Sequence, residues 1–199
     1  MYTQVLHKQF VKQGEESLIR SLTRMNAQLG KLAALIEDLL NVSKLEHGKL
    51  AFHQEAFDLN EVVKETIEQL QHGIRHTIHI EGVVTEPVWG DKERIGQVLT
   101  NLMTNAVKYS PKADTVVVRV GDEQGQAIVG VQDFGIGIAP EHQQHIFDRF
   151  YRVNDPEEKT YPGLGIGLHI AHEIIERHNS TMSVVSEKGQ GSLFRFTLP

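Results

Sequence analysis

Three positions on one predicted helix carry the residue types that metal and phosphate chemistry needs. In the stretch DKERIGQVLTNLMTNAVKYSP, Asn101, Asn105 and Lys108 are spaced by four and three residues and therefore share one helix face. An amide oxygen is a hard ligand suited to magnesium, and a lysine ammonium is a point charge suited to a phosphate. Solvated helix faces favour Glu and Lys over Asn, a poor helix former, so two mid-helix asparagines point to a task. A second set follows at Asp133, which ends a strand-like run and precedes Gly135 and Gly137. A buried carboxylate there can accept from the exocyclic amine of adenine, while glycines let the backbone approach the base. The plainer alternative is Asp133 as a turn former. A third set is GLGIGL, from Gly163 to Leu168, at the start of a helix. Backbone N–H groups at a helix start, unobstructed by side chains, favour a phosphate. Its spacing fails the Gly-x-Gly-x-x-Gly dinucleotide fingerprint, and the preceding EEKTYP is not strand-like. A simple loop-to-helix connection is the alternative.

Asp133-Phe134-Gly135 also matches the magnesium signature of protein kinases. That fold further needs an upstream glycine-rich hairpin, a strand lysine and a His-Arg-Asp loop, and none is present.

The elements that must position these residues follow from periodicity. Asp91 is the expected N-cap of the Asn101 helix, Ile95, Val98, Leu99, Leu102, Met103 and Ala106 form its apolar stripe, and Pro111 closes it. TVVVRV and QAIVGVQD read as strands around a GDEQG turn, and TMSVVSE and SLFRFTLP as two more joined by KGQG. HTIHIEG alternates as a strand, and Asp58 or Asn60 caps a helix running to about Gln71. Helical character is expected again over EHQQHIFDRF and over LGIGLHIAHEIIERH. RVNDPEEKTYPG, with two prolines, reads as a mobile loop. The sum is an α+β fold, about five strands and three helices in a two-layer α/β sandwich.

Upstream, Leu18, Leu22, Met25, Leu29, Leu32, Ile36 and Leu39 recur at alternating four- and three-residue spacing, a coiled-coil or bundle seam. KQGEE near Gly14 separates this helix from a shorter one with Val5, Leu6 and Phe10, giving an αα-hairpin. The seam packs either on the first helix alone or in a bundle completed by a second copy. The second is preferred, because the second helix far outruns the first.

Composition narrows the function. The 199 residues carry a formal charge of -6, unlike the basic footprint of a duplex-binding protein, so no nucleic-acid partner is expected. The absence of cysteine excludes disulfides, thiolate metal sites and a cysteine nucleophile. No apolar run approaches the roughly 18 residues of a membrane span. A cytoplasmic location is expected, with an anchor allowed in a longer parent chain. His142 with His145, and His169 with His172, each offer two ligands without an obvious third, so structural roles are expected. His7 is read as a surface residue.

Taken together and in order, these segments resemble sensor histidine kinases of two-component systems, within the gyrase-like ATPase superfamily. NLMTNAVKYSP resembles their N box, DFGIGI their G1 box, IFDRFYR their F box, GLGIGL their G2 box and GSLFRFTLP their closing strand. The match spans nearly all of residues 58–199. The resemblance implies a Bergerat ATP-binding sandwich that takes ATP and magnesium. It implies that Asn105 ligates magnesium, Asn101 lies beside the phosphates, and Lys108 reaches them, these three forming the catalytic set. Tyr109 lies near the nucleotide, Asp133 bonds the adenine amine, and Gly135 and Gly137 lie beneath the base. Gly163, Gly165 and Gly167, with Leu168, face the phosphates and hinge a lid. Arg152 reaches a phosphate, and Ser192 helps at the adenine end. Phe147 and Phe150 pack the lid.

The family also implies a dimerisation and phosphotransfer hairpin, here residues 1–50, ahead of a catalytic domain at 58–199. Its partners are a second copy through that hairpin and the receiver domain of a response regulator. The family's phosphoacceptor lies in a His-Glu-x-x-x-Pro-like box early in the first helix, and no such box precedes YTQVLHKQF. The chain is therefore expected to begin partway along that helix, to bind nucleotide and not to phosphorylate itself. A serine kinase of the anti-sigma-factor type and a non-catalytic dimerisation scaffold are the alternatives. The heptad seam speaks against the first, and the intact pocket residues against the second.

Overall fold

Strand β2 (Thr77–Gly82) runs parallel to β4 (Thr115–Glu123), and parallel neighbours require a crossover. Helix α3 (Lys92–Tyr109) is that crossover. Its stripe of Ile95, Val98, Leu99, Leu102, Met103 and Ala106 is buried, as the periodicity predicts. Burial of each large aliphatic side chain is worth about 1.5–3 kcal/mol.

The computed structural model describes residues 16–46, 52–153 and 164–199. The chain divides into two units, residues 1–47 and 48–199, each taken by itself below.

In the first unit, α1 (Glu16–Glu46) forms one helix of 31 residues. Met25, Leu29, Leu32, Ile36 and Leu39 stand 44–55% exposed along it, so the seam presents an apolar stripe to solvent. The expected shorter helix, with Val5, Leu6, His7 and Phe10, and the loop at Gly14 lie outside the described residues.

In the second unit, the main sheet has the order β2-β4-β5-β7-β6, with β5 (Gln126–Gln132), β6 (Met182–Glu187) and β7 (Gly191–Leu198). All its pairs except β2-β4 are antiparallel. One sheet face supplies Val116, Val118, Val120, Val129, Val131, Phe194, Phe196 and Leu198 to the core. Three helices supply the other layer. They are α2 (Leu59–Gln71), with Leu59, Val62, Val63 and Thr66 buried, α3, and α5 (Gly167–Arg177), with Ile170, Ala171, Ile174 and Ile175 buried. Asp58 caps α2 by accepting the Asn60 N–H at 2.8 Å. Asp91 caps α3 by accepting the Arg94 N–H at 3.0 Å. The expected two-layer α/β sandwich is the observed one.

Two details differ from the sequence reading. A second, two-stranded antiparallel sheet pairs β1 (Glu55–Phe57) with β3 (Val88–Gly90). Over EHQQHIFDRF, the helix α4 is confined to Pro140–Gln143, and turns follow. Phe147 stacks on His172 at 4.9 Å and meets Phe194 edge-on at 6.5 Å. These side-chain contacts hold the segment to α5 and the sheet without a continuing helical ladder. The expected loop spans 152–163, and all of it after Val153 lies outside the described residues.

Candidate nucleotide site

The C-terminal half of α3 carries the amide face. Asn101 and Asn105 are half-buried one turn apart, and Lys108 and Tyr109 follow, also half-buried. The Asn101 Nδ2 donates to the Gly167 carbonyl at 3.1 Å, fastening α3 to the start of α5. Lys108 Nζ donates to the Tyr109 hydroxyl at 2.8 Å and lies 4.4 Å from that ring's centroid. The sequence reading aimed this ammonium at a phosphate; here it bonds to the neighbouring phenol.

Helix α3 is anchored at both ends by histidines that the sequence reading did not single out. The Asp91 N–H donates to His178 Nε2 at 2.9 Å, and His178 Nδ1 lies 2.7 Å from the Ile174 carbonyl. The first contact needs a lone pair on Nε2 and the second needs a proton on Nδ1, so the ring is neutral with its proton on Nδ1. At the other end, buried His76 places Nε2 2.9 Å from the Ser110 carbonyl, just past the last turn. Its Nδ1 is buried with no hydrogen-bond partner.

Asp133 sits at the end of β5 and is 4% exposed. Its backbone N–H donates to the Ser192 carbonyl at 2.9 Å. Its carboxyl accepts the Gly135 N–H at 2.9 Å and lies beside the N–H and hydroxyl of Ser192, both of which favour its ionised form. Burial pushes this carboxyl above its ordinary value of 3.8, and the hydrogen bonds oppose the shift without cancelling it. The group is therefore a concealed acceptor ringed by donors. Buried Ser192 stands beside it.

The two glycines after Asp133 are there for room. A Cβ on Gly135 would collide with the Tyr109 carbonyl oxygen, because the loop runs directly against the end of α3. The Ile136 N–H donates to that same carbonyl at 3.1 Å. Gly137 has φ +61°, and a Cβ there would strike the Glu187 carbonyl on the β6–β7 hairpin. The Gly189 N–H donates back to the Ile136 carbonyl at 2.7 Å. Gln143 donates from Nε2 to the carbonyls of Ile138 at 3.0 Å and Ser186 at 2.8 Å.

Gly165, Gly167 and Leu168 open α5. Its N-cap, Ile166, makes no side-chain capping bond, and the first-turn N–H groups of a helix have no partner within the helix itself. A Cβ on Gly165 would crowd Arg152 Cγ at 3.0 Å, which places exposed Arg152 beside this turn. The Phe150 N–H donates to the Gly165 carbonyl at 3.1 Å. Phe150 itself is exposed, with Arg149 over its ring at 4.7 Å, rather than packed inward like Phe147. Gly163 lies outside the described residues.

The structure thus brings Asn101 to Gly167, Tyr109 to Gly135, Asp133 to Ser192, and Arg152 to Gly165. The histidines considered as ligand pairs have other partners. His142 bonds the Tyr151 hydroxyl at 2.8 Å, His145 the Asp148 carboxylate at 2.9 Å, and His169 the Phe147 carbonyl at 3.1 Å. Among the described residues, no three His, Cys, Asp or Glu side chains gather as a metal site. The two carboxamides on one helix face offer the hard oxygen donors that a magnesium ion takes. Gln143, Ser186, His76 and His178 were missed, since each acts through one long-range contact that leaves no periodic trace.

Comparison with known proteins gives this arrangement a family. Residues 90–199, more than half of the chain, match the family described as histidine kinase-, DNA gyrase B- and HSP90-like ATPases. The chain is 36% identical over 173 residues to the sensor histidine kinase RppB of Synechocystis sp., covering 85% of this chain and 38% of that protein. It is 32% identical over 204 residues to the sensor protein SrrB of Staphylococcus aureus, covering 100% of this chain and 34% of that protein. It therefore spans little more than a third of the length of these relatives. Among solved structures, the histidine kinase AdeS of Acinetobacter baumannii superposes with a TM-score of 0.71 at 26% identity, covering 99% of this chain and 92% of that one. Full-length ShkA in complex with AMPPNP shares the fold, with a TM-score of 0.75 at 24% identity over 92% of this chain and 39% of that one.

Proposed function

This chain belongs to the histidine kinase-, DNA gyrase B- and HSP90-like ATPase family and carries the ATPase domain of sensor histidine kinases, and from that premise we propose that it works as the catalytic portion of such a kinase. It transfers the γ-phosphoryl group of ATP to a histidine of a dimerisation domain, from which the group passes to an aspartate of a response regulator. The single observation that carries the reading is Asp133. It is a buried carboxylate held by the Gly135 N–H and by Ser192, at the edge of a loop that leaves no room for a side chain at Gly135.

In this reading Asp133 accepts from the exocyclic amine of adenine, and Gly135 and Gly137 hold the loop beside it tight against the end of α3 and the β6–β7 hairpin. The first-turn N–H groups of α5, with Asn101, bind phosphate oxygens, and Lys108 and Arg152 add positive charge. Asn105 is the magnesium ligand, and the ion supplies neutralisation of the phosphate charge. The transfer out of ATP depends on alignment and charge stabilisation. The chain's own task is therefore to hold the donor phosphate still and dry. The exposed stripe of α1 belongs to the dimerisation hairpin, where a second copy covers it.

Isothermal titration of the chain with a non-hydrolysable ATP analogue and magnesium tests the reading. Heat of binding in the unaltered chain, lost in Asp133→Asn, is the expected result, and no heat in the unaltered chain would leave a scaffold. The chain contains no His-Glu-x-x-x-Pro box, so incubation with radiolabelled ATP is expected to leave its histidines unlabelled. Stable acid-labile incorporation would contradict that.

A further inference from the structure

Asp133 recognises a donor, and a chain of hydroxyls behind it decides which way its own donor points. Ser186 on β6 is paired in register with Ser192 on β7. Its Oγ lies 2.8 Å from the Ile138 nitrogen, 2.9 Å from Ser192 Oγ and 2.8 Å from the Gly191 carbonyl oxygen.

Each serine hydroxyl has one proton to give and two lone pairs to receive. The Ile138 N–H can only donate, so one lone pair of Ser186 is taken. An ionised Asp133 can only accept, so the Ser192 proton points to it. The Ser192 oxygen is then left accepting, and the Ser186 hydroxyl is the donor within reach. Donation thus runs in one direction, from the Ile138 N–H through Ser186 and Ser192 to Asp133. The Gly191 carbonyl offers the Ser186 proton a second resting place. If that proton goes there, Ser192 loses its reason to stay turned toward the carboxylate.

We propose that Ser186 is a positioning residue that sets the purine preference of the site, by holding the Ser192 hydroxyl on Asp133 and away from the base. The proposal rests on the nucleotide-site reading above. With Ser192 so fixed, the wall facing position 6 of the purine presents an acceptor, Asp133. An amino group is welcomed there, and a carbonyl meets an unshared lone pair. A Ser192 hydroxyl released from Ser186 can turn and donate to that carbonyl. Adenine would then lose part of its advantage over hypoxanthine, which carries oxygen at position 6 and lacks the extra amino group of guanine.

Ser186 also accepts the Ile138 N–H, so its removal loosens the loop for every nucleotide alike. The ratio of affinities separates this from the proposed role. In titrations of the full chain with the triphosphates of adenosine and inosine, Ser186→Ala is expected to weaken ATP about five-fold, the effect of one lost hydrogen bond. It is expected to narrow the ATP-to-ITP affinity ratio by about ten-fold. Ser186→Thr keeps the hydroxyl and restores the ratio. If Ser186→Ala melts below the assay temperature, Ser186→Cys, with a weak donor of similar size, is read in its place and gives an intermediate ratio. Equal weakening of both nucleotides, leaving the ratio unchanged, overturns the proposal. An unaltered chain that binds neither nucleotide overturns the nucleotide reading itself, a different result seen before any variant is made.

Discussion

The two ends of the site are built differently. At the proposed adenine end, the loop after Asp133 is tied on two sides. The Ile136 N–H bonds the Tyr109 carbonyl at 3.1 Å, the Gly189 N–H bonds the Ile136 carbonyl at 2.7 Å, and the Ile138 N–H bonds Ser186 at 2.8 Å. At the phosphate end, α3 meets α5 through the Asn101 amide and Gly167 at 3.1 Å, and Lys108 is turned to Tyr109. Backbone clamps make the first end rigid before any ligand arrives. Longer side chains, with rotamers to spare, furnish the second. On the proposed reading, base recognition would be preorganised, while phosphate binding would be completed by the ligand's own charge.

The sharpest way to break this comparison is Asp133→Asn. It replaces an ionised acceptor with an amide that can offer a donor to the base, and ATP affinity is expected to fall about 100-fold or more, since a hydrogen bond to a charged group is worth about 1.5–3 kcal/mol and the amide adds a mismatch. The same change is expected to raise the melting temperature of the ligand-free chain at neutral pH. The sign follows from linkage. Burial holds the Asp133 carboxyl above 3.8, so the fold binds this proton more tightly than the unfolded chain does. The resulting stability is full below 3.8 and is lost as pH rises through the folded value. The amide never ionises, so the advantage of Asp133→Asn shrinks as pH falls through that window. Melting curves of both chains across the acidic range check this, and an unchanged neutral-pH melting temperature with unchanged affinity would remove Asp133 from its role.

Gly135→Ala comes next and attacks the clamp rather than the acceptor. Its Cβ collides with backbone, the Tyr109 carbonyl, which cannot swing away as a side chain can. Overpacking of this kind costs about 1–3 kcal/mol. Both the ligand-free melting temperature and ATP affinity are expected to drop, affinity by about 10- to 100-fold. Asn101→Ala should behave otherwise. It removes the proposed phosphate contact, so affinity for ATP with magnesium falls about 5- to 10-fold, and it removes one part-buried amide bond to Gly167, so ligand-free melting drops only by the ~0.5–1.5 kcal/mol of a single hydrogen bond. AMP, which lacks the outer phosphates, should bind Asn101→Ala nearly as well as the unaltered chain. Equal losses for AMP and ATP would erase the distinction between the two ends.

Much of this site could be read from the sequence because its parts are local. Asn101 and Asn105 are four residues apart in a helix whose stripe and cap are explicit, and Asp133 ends a strand whose alternation is clear. The clamps were hidden because each joins distant residues of ordinary type. Ser186 reaches Ile138 across 48 residues, and His76 reaches Ser110 across 34. The β1–β3 pair escaped for a related reason. Three residues a side, far apart in sequence, are too few to show a period of two. The over-long helix at EHQQHIFDRF came from composition that suits a helix, overridden by Phe147 turning inward to His172 and Phe194.

The smallest effect is expected at His76, behind the clamp. Its Nε2 bonds the Ser110 carbonyl at 2.9 Å, at the end of the helix that carries Tyr109. His76→Leu removes that bond, worth about 0.5–1.5 kcal/mol, while the Ser110 carbonyl keeps the Ala113 N–H at 3.1 Å. It also removes the buried, unpartnered Nδ1, which was itself unfavourable. The two contributions oppose each other, so the melting temperature should fall by only a few degrees and ATP affinity by about two- to three-fold. His76→Gln carries an amide N–H at a similar reach and should recover the affinity. If His76→Leu weakens ATP as much as Gly135→Ala does, the rigidity of the adenine end comes from behind α3 rather than from the glycine contact. The order of the two supports would then have to be reversed.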